Sequence, residues 1–178
     1  MENKKTSRIA LIGFMATGKS TIGPLLAEKL GYVFIDTDAM VEESMGMKIS
    51  EIFRDLGESA FREAEHQALK KALAMEKVII STGGGVILFE RNRQMLKEKA
   101  FVVSLTCQPE TIFERIQGDQ SRPLLRSSDP LKQIKMMMAE RQSFYEDCDF
   151  QISTEEWTTP ECCEKIVSLY KKHEKTDQ

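Results

Sequence analysis

Near its start the chain reads Gly13-Phe14-Met15-Ala16-Thr17-Gly18-Lys19-Ser20, then Thr21. The spacing is G-x-x-x-x-G-K-[ST], a loop whose backbone N–H groups turn inward and cradle phosphate oxygens. The helix that follows such a loop adds its positive N-terminal end. Lys19 is placed to reach the β- and γ-phosphates, and the Ser20 hydroxyl to touch a magnesium ion. Gly13, Ala16, Thr17, Gly18, Lys19, Ser20 and Thr21 are therefore the candidate nucleotide-binding residues. The chemistry they predict is phosphoryl transfer from a nucleoside triphosphate.

Three other groups of residues could complete such a reaction. Asp36-Thr37-Asp38 sets two carboxylates two positions apart. One can hold a hydrated metal; the other can accept a hydrogen bond from an attacking hydroxyl and orient it. The plainer alternative is a helix N-cap beside a turn acid. Gly83-Gly84-Gly85 follows Ser81-Thr82. Three glycines permit positive φ and let backbone N–H groups approach a ligand closely, or they form a flexible loop and nothing more. Arginine forks onto carboxylate and phosphate. Arg62 stands one turn before Glu65, which can hold it in place; Arg115, Arg122 and Arg141 lie before, inside and after a polar stretch. A solvated surface charge is the alternative for each.

These residues need a frame. Arg8–Ile12 is a short apolar run of the kind a buried parallel strand shows, and Ile22, Leu25, Leu26 and Leu30 then recur at helical spacing up to Gly31. Pro24 falls inside that helix and predicts a bend or a loosened first turn. Further strands are expected at 33–35, 78–81, 101–105 and 150–152. Helices are expected around 38–46, 50–56, 59–76 and 89–98, and from Pro109 to about Gln117. Asp129-Pro130 opens another helix, to about Glu146, and Thr159-Pro160-Glu161 opens the last, which should fray from Lys171. Alternation of this kind argues an α/β fold, a parallel sheet covered on both faces, with ligands at the carboxyl ends of the strands. The phosphate loop, Asp36, Asp38 and the three glycines all fall at such ends.

The 178 residues are expected to form a single domain with a sizeable core. A net charge of −3 provides no global attraction to nucleic acid or membrane, and no apolar run approaches the length of a spanning helix. Met1-Glu2-Asn3-Lys4-Lys5 leads directly toward a strand without signal-peptide character, so a cytoplasmic enzyme is expected. Cys107, Cys148, Cys162 and Cys163 lack metal-ligand spacing and read as small hydrophobes. His66 reads as a helix-surface residue, His173 as part of a polar tail, and Met136-Met137-Met138 as core filling.

Taken in order, G-F-M-A-T-G-K-S-T, D-T-D, G-E-x-x-F-R-x-x-E, G-G-G, R-P-L-L and E-R-x-x-x-Y resemble the shikimate kinases, P-loop kinases of the nucleoside-monophosphate-kinase-like group. The likeness covers about residues 7 to 170. It implies a three-layer α/β/α fold with five parallel strands in the order 2-3-1-4-5. It implies transfer of the γ-phosphate of ATP to the 3-hydroxyl of shikimate, with Mg2+ as cofactor and no nucleic-acid or membrane partner, by a monomer. Asp38 would hold the ring hydroxyls and orient the attacking one. Arg62 and Arg141 would pair with the shikimate carboxylate, and Gly83, Gly84 and Gly85 would contribute backbone N–H contacts. Ser20 would be the direct protein ligand of magnesium, with Asp36 supporting its shell. Lys19 and Arg122 would neutralise the transferring phosphoryl group, and Arg115 would pack against adenine. Segments of about 7–37, 77–117 and 148–173 would form the core, 38–76 the shikimate-binding subdomain and 118–128 a lid.

Two positions depart from the family's pattern. Ser153-Thr154-Glu155-Glu156-Trp157 has no arginine where members often carry a second one beside adenine, which leaves Trp157 as the group available there. Pro24 is the other. Two other functions remain open to the sequence. One is a kinase of another carboxylated polyol, such as gluconate; the other is a non-catalytic nucleotide-binding module, which should have lost Lys19, Asp38 or Arg122.

Overall fold

The computed structural model describes residues 7–117 and 128–176. The apolar runs pair side by side as β1 (Arg8–Ile12), β2 (Val33–Asp36), β3 (Val78–Ser81), β4 (Phe101–Thr106) and β5 (Phe150–Ser153). They form one five-stranded sheet in the order β2-β3-β1-β4-β5, and every pairing is parallel. β1 is the middle strand, with Ala10 opposite Ile80 on one side and Val102 on the other.

The connections are helical, as parallel pairing requires. α1 (Lys19–Leu30) follows β1. α2 (Thr37–Met45), α3 (Ile49–Asp55) and α4 (Gly57–Ala72) lie between β2 and β3. A short 3-10 turn (Val86–Leu88) and α5 (Glu90–Lys99) lead to β4. α6 (Pro109–Ile116) and α7 (Pro130–Glu146) precede β5, and α8 (Thr159–Thr176) follows it.

Side chains alternate across a strand, and β1 divides the core accordingly. Ile9 and Leu11 pack with Ile22, Leu26 and Ile166 on one face. Ala10 and Ile12 pack with Leu69, Leu96 and Ile134 on the other. Each buried Ile or Leu contributes about 1.5–3 kcal/mol by leaving water, so a strand apolar on both faces is held from both. A separate cluster, Val41, Ile52, Phe61 and Ala68, joins α2, α3 and α4 to one another.

The helix survives Pro24: α1 is continuous across it, and the proline withholds a backbone N–H from the Ser20 carbonyl. Beside it, Gly23 is required because a β-carbon there would strike the Phe34 ring. α8 does not fray at Lys171 but runs on to Thr176. Tyr170 is buried edge-on to Tyr32, and the His173 ring lies 5.0 Å from Phe101, so the docked face outlasts the polar composition. His173 is therefore not in a polar tail. Met136 is exposed, and only Met137 and Met138 pack on the core. His66 is half-buried, with Nδ1 2.7 Å from the Asn92 side-chain oxygen. The cysteines are unpaired, and burial pushes all of their thiols up, which keeps them from acting as thiolates.

Candidate active site

The loop between β1 and α1 is shaped by backbone conformation. Gly13, Ala16 and Gly18 have φ of 146°, 59° and 100°. At Gly13 a β-carbon would stand 2.5 Å from the Leu105 carbonyl oxygen, so no side chain fits. Ala16 accepts the left-handed region at a cost of about 1–2 kcal/mol, strain of the kind that collects at functional sites. Thr17 Oγ1 donates to the Phe14 carbonyl at 2.8 Å. The Lys19 ammonium is drawn inward and donates to the carbonyls of Gly13 (2.7 Å) and Phe14 (2.8 Å).

Ser20, in the first turn of α1, donates its hydroxyl to Asp36 Oδ2 at 3.3 Å. The other oxygen of Asp36 caps α2, accepting from the N–H groups of Asp38 (2.9 Å) and Ala39 (3.3 Å). Asp36 is thus the helix N-cap that the plainer reading of D-T-D expects, and its second oxygen lies beside Ser20. A hard cation bound through few protein oxygens and mainly through phosphate fits this pair. Among the described residues no cluster of three His, Cys, Asp or Glu offers an all-protein cage. A recess of about 460 Å³ opens from Ala16, Thr17, Gly18, Lys19, Ser20 and Thr21 toward Arg115, Thr154 and Trp157. Arg115 Nη1 donates to the Ala16 carbonyl at 2.9 Å, which fixes its guanidinium against the loop.

The loop after β3 carries the glycines. Their φ values lie outside the left-handed region, so their conformational freedom is not what the site uses. What it uses is space. A β-carbon on Gly83 would stand 2.6 Å from Asp38 Oδ1 and 2.8 Å from Glu65 Oε1; one on Gly85 would collide with the Arg62 guanidinium. On Gly84 it would meet the phosphate loop, with Met15 N nearest at 3.4 Å and the Gly13 carbonyl oxygen at 3.6 Å. The glycine run is a wall against which three charged side chains lie.

That wall is pinned in turn. The Gly83 N–H donates to Thr37 Oγ1 (3.2 Å), and the Gly84 carbonyl accepts from the Tyr145 hydroxyl (2.6 Å). Burial pushes the Tyr145 phenol up to about 12, so it stays a donor at ordinary pH. Arg141, one turn earlier on α7, lies close enough to oppose that shift and holds its guanidinium carbon 5.7 Å from the Phe14 ring centroid. Arg62 is clamped by Glu58 (3.1 Å) and Glu65 (3.0 Å). Glu65 is 1% exposed. Desolvation raises its carboxyl pKa; Arg62 opposes the shift, and Asp38 adds to it.

The sequence-predicted residues therefore divide. Gly13, Ala16, Thr17, Gly18, Lys19, Ser20, Thr21, Asp36 and Arg115 gather at the phosphate loop. Asp38, Arg62, Gly83, Gly84, Gly85 and Arg141 gather beside it, with Phe14 and Met15 as the shared border. Arg122 and nearly all of the 118–128 segment lie outside the described residues. Sequence reasoning assigned no role to Thr37, Tyr145 or Glu155. Tyr145 had a signal in E-R-x-x-x-Y, which puts it one helical turn after Arg141. A larger recess of about 570 Å³ lies between α6 and α7, and neither Lys19, Asp38 nor Arg62 lines it.

Sheet order, a phosphate loop at the carboxyl end of the middle strand, and an arginine–carboxylate pocket beside it define a P-loop phosphotransferase. Residues 15–171 match the family model for shikimate kinase. A shikimate kinase of Thermodesulfovibrio yellowstonii is 42% identical over 164 residues, 92% of this chain and 95% of that one. One from Caldicellulosiruptor bescii is 43% identical over 162 residues, 91% of this chain and 94% of that one. The solved shikimate kinase from Acinetobacter baumannii, in complex with shikimate, superimposes with a TM-score of 0.89 at 32% identity, covering 96% of each chain. The chain belongs to the shikimate kinase family.

Proposed function

We propose that the protein is an ATP-dependent shikimate kinase. It transfers the γ-phosphoryl group of ATP to the 3-hydroxyl of shikimate, giving shikimate 3-phosphate and ADP on the route to chorismate and the aromatic amino acids. The observation that carries this reading is the shared border. A phosphate loop and a pocket holding Asp38, Arg62 and Arg141 meet across Phe14, Met15 and Gly84. Donor and acceptor can then react without travelling.

Each residue has a role in that reaction. Asp38 accepts a hydrogen bond from the attacking hydroxyl and orients its oxygen toward phosphorus. Arg62 and Arg141 take the acceptor carboxylate, and clamping by Glu58 and Glu65 holds Arg62 ready for it. Gly83, Gly84 and Gly85 form the floor under the ring. Lys19 moves from loop carbonyls onto phosphate oxygens, and Arg122 shares that charge neutralisation. Mg2+ would be held by Ser20 with Asp36 behind it, and bound there it would draw charge from the phosphate oxygens. We place α2, α3 and α4 as the acceptor-binding part of one kinase domain, working as a cytoplasmic monomer.

ADP release with MgATP, measured alone, with shikimate and with gluconate, tests the reading. Strong stimulation by shikimate alone is expected. Stimulation by gluconate instead would keep the mechanism and overturn the acceptor. Equal, slow turnover in all three would return the chain to a nucleotide-binding module.

A further inference from the structure

We propose that Asn92 is a positioning residue for the acceptor. It fixes the glycine wall to α4 and so sets where Gly85 stands against Arg62. The proposal rests on the kinase reading, since the pocket it serves is the acceptor's.

Asn92 lies in the first turn of α5 with its side chain wholly buried. A buried amide costs free energy unless its ends are bonded, and both ends are. Nδ2 donates to the Val86 carbonyl at 3.0 Å, and Oδ1 faces His66 Nδ1 at 2.7 Å. The Val86 carbonyl can only accept, so it decides which end of the amide is nitrogen. The end toward His66 is then an oxygen, and His66 must donate to it. The partner of one ring nitrogen sets the tautomer, so neutral His66 is held with its hydrogen on Nδ1.

These bonds join two parts that the acceptor needs at a fixed separation. His66 stands one turn after Arg62 on α4, so the two share a face. Val86 follows Gly85 directly. The turn it opens folds back on the wall, with the Val86 N–H donating to the Gly83 carbonyl (3.2 Å) and the Leu88 N–H to the Gly85 carbonyl (3.1 Å). The Arg62 guanidinium lies against Gly85. A closed circuit therefore runs from Arg62 through His66, Asn92 and Val86 back to Gly85. The Asp38 end of the wall has its own support, the Thr37 hydroxyl under the Gly83 N–H. The residue after Asn92 does the matching job toward α7. Arg93 donates to the Ile87 carbonyl at 2.6 Å, and its guanidinium carbon lies 4.3 Å from the ring centroid of Phe144, three positions after Arg141. α5 thus braces the wall between the two helices that carry Arg62 and Arg141. Slackening that brace should cost carboxylate binding before it disturbs the reacting hydroxyl.

Asn92→Leu keeps the volume and removes both bonds. Its KM for shikimate should rise about five- to tenfold, with kcat within about twofold and the KM for ATP unchanged. His66→Leu, on a half-buried surface, should raise the same KM about threefold, and His66→Asn, whose amide nitrogen can take the place of Nδ1, should restore most of it. A merely structural role would lower Tm and the folded fraction, which reduces apparent kcat and leaves KM where it was. A fall in Tm with unchanged KM for shikimate in both leucine variants would therefore overturn the proposal. So would an equal rise in the KM for ATP. If Asn92→Leu fails to fold, the His66 pair decides. The chain has two histidines, so nitrogen NMR can read the tautomer directly, with His66→Leu assigning the signals. At about pH 8.5, where imidazole is ordinarily neutral, wild-type His66 should carry its hydrogen on Nδ1; a hydrogen on Nε2 would break the circuit and the proposal. Wild-type turnover indifferent to shikimate would sink the acceptor reading and this proposal together, whereas failure of the proposal alone leaves that turnover intact.

Discussion

The two ends of the cleft are built by opposite means. The phosphate end is backbone: a contiguous run from Gly13 to Ser20, with its shape held in the φ values of Gly13, Ala16 and Gly18. The proposed acceptor end is side chain. Asp38 from α2 and Arg62 and Glu65 from α4 gather against a wall of glycines after β3, with Tyr145 of α7 bonded to Gly84 and Arg141 of α7 beside Phe14. A loop that stores its geometry in its own dihedrals depends little on distant residues. A pocket made of converging side chains depends on clearance, and a single added methyl can remove it.

The largest expected effect tests whether the two ends are separable. Asp38→Asn should lower kcat by roughly 10²- to 10⁴-fold, the range for removing a positioned acid–base group. MgADP affinity, by calorimetry, should stay within error. Parallel losses in both would erase the distinction between the ends.

Next in size, Gly85→Ala and Gly83→Ala should each cut kcat/KM for shikimate by about 10²-fold, the cost of displacing a positioned group by an ångström. The displaced groups are Arg62 in one variant and Asp38 with Glu65 in the other. Gly84→Ala, with its nearest contact at 3.4 Å, is the milder control. Equal tolerance of alanine at all three positions would mean that clearance is not what the run supplies.

Arg141→Ala should raise the KM for shikimate on the order of tenfold, as for loss of one charged hydrogen bond. An effect confined to the KM for ATP would put this arginine at the other end of the cleft.

The smallest effect is one of pH. Burial holds the Glu65 carboxyl above its ordinary value of 4.5, so the folded protein binds that proton more tightly than the unfolded chain. Above that pH the unfolded state carries fewer protons. The stability owed to Glu65 is full below it and drains away as pH rises through the folded value. Glu65→Gln should flatten the fall of Tm with pH over that window, and an unchanged slope would assign the dependence elsewhere.

The phosphate loop was legible because its chemistry is local; eight consecutive residues specify both type and spacing. Strands and helices were legible to within a few residues for a similar reason, since apolar periodicity is a local signal. The order of the strands came only through resemblance, because no local signal says which strand lies beside which. The glycine run shows the limit most clearly. From sequence its purpose looked like backbone freedom, yet its neighbours are Asp38, 45 positions earlier, and Arg62, 23 positions earlier than Gly85. The same distance hid Thr37 under Gly83 and Tyr145 under Gly84. At the C-terminal end, Tyr170 and His173 lengthen α8 through contacts with Tyr32 and Phe101, which composition alone could not disclose.

Asp36 joins the two ends. One of its oxygens takes the Ser20 hydroxyl, and the other holds the first turn of the helix that carries Asp38. A single carboxylate therefore answers to two ligands. Recruitment of Ser20 by a nucleotide complex would take one partner from Asp36, whose other oxygen holds α2, and so would couple the two ends. Linkage makes the exchange mutual: whatever factor the nucleotide adds to acceptor affinity, the acceptor returns to the nucleotide. Under that coupling neither substrate of this cleft would be described by one dissociation constant.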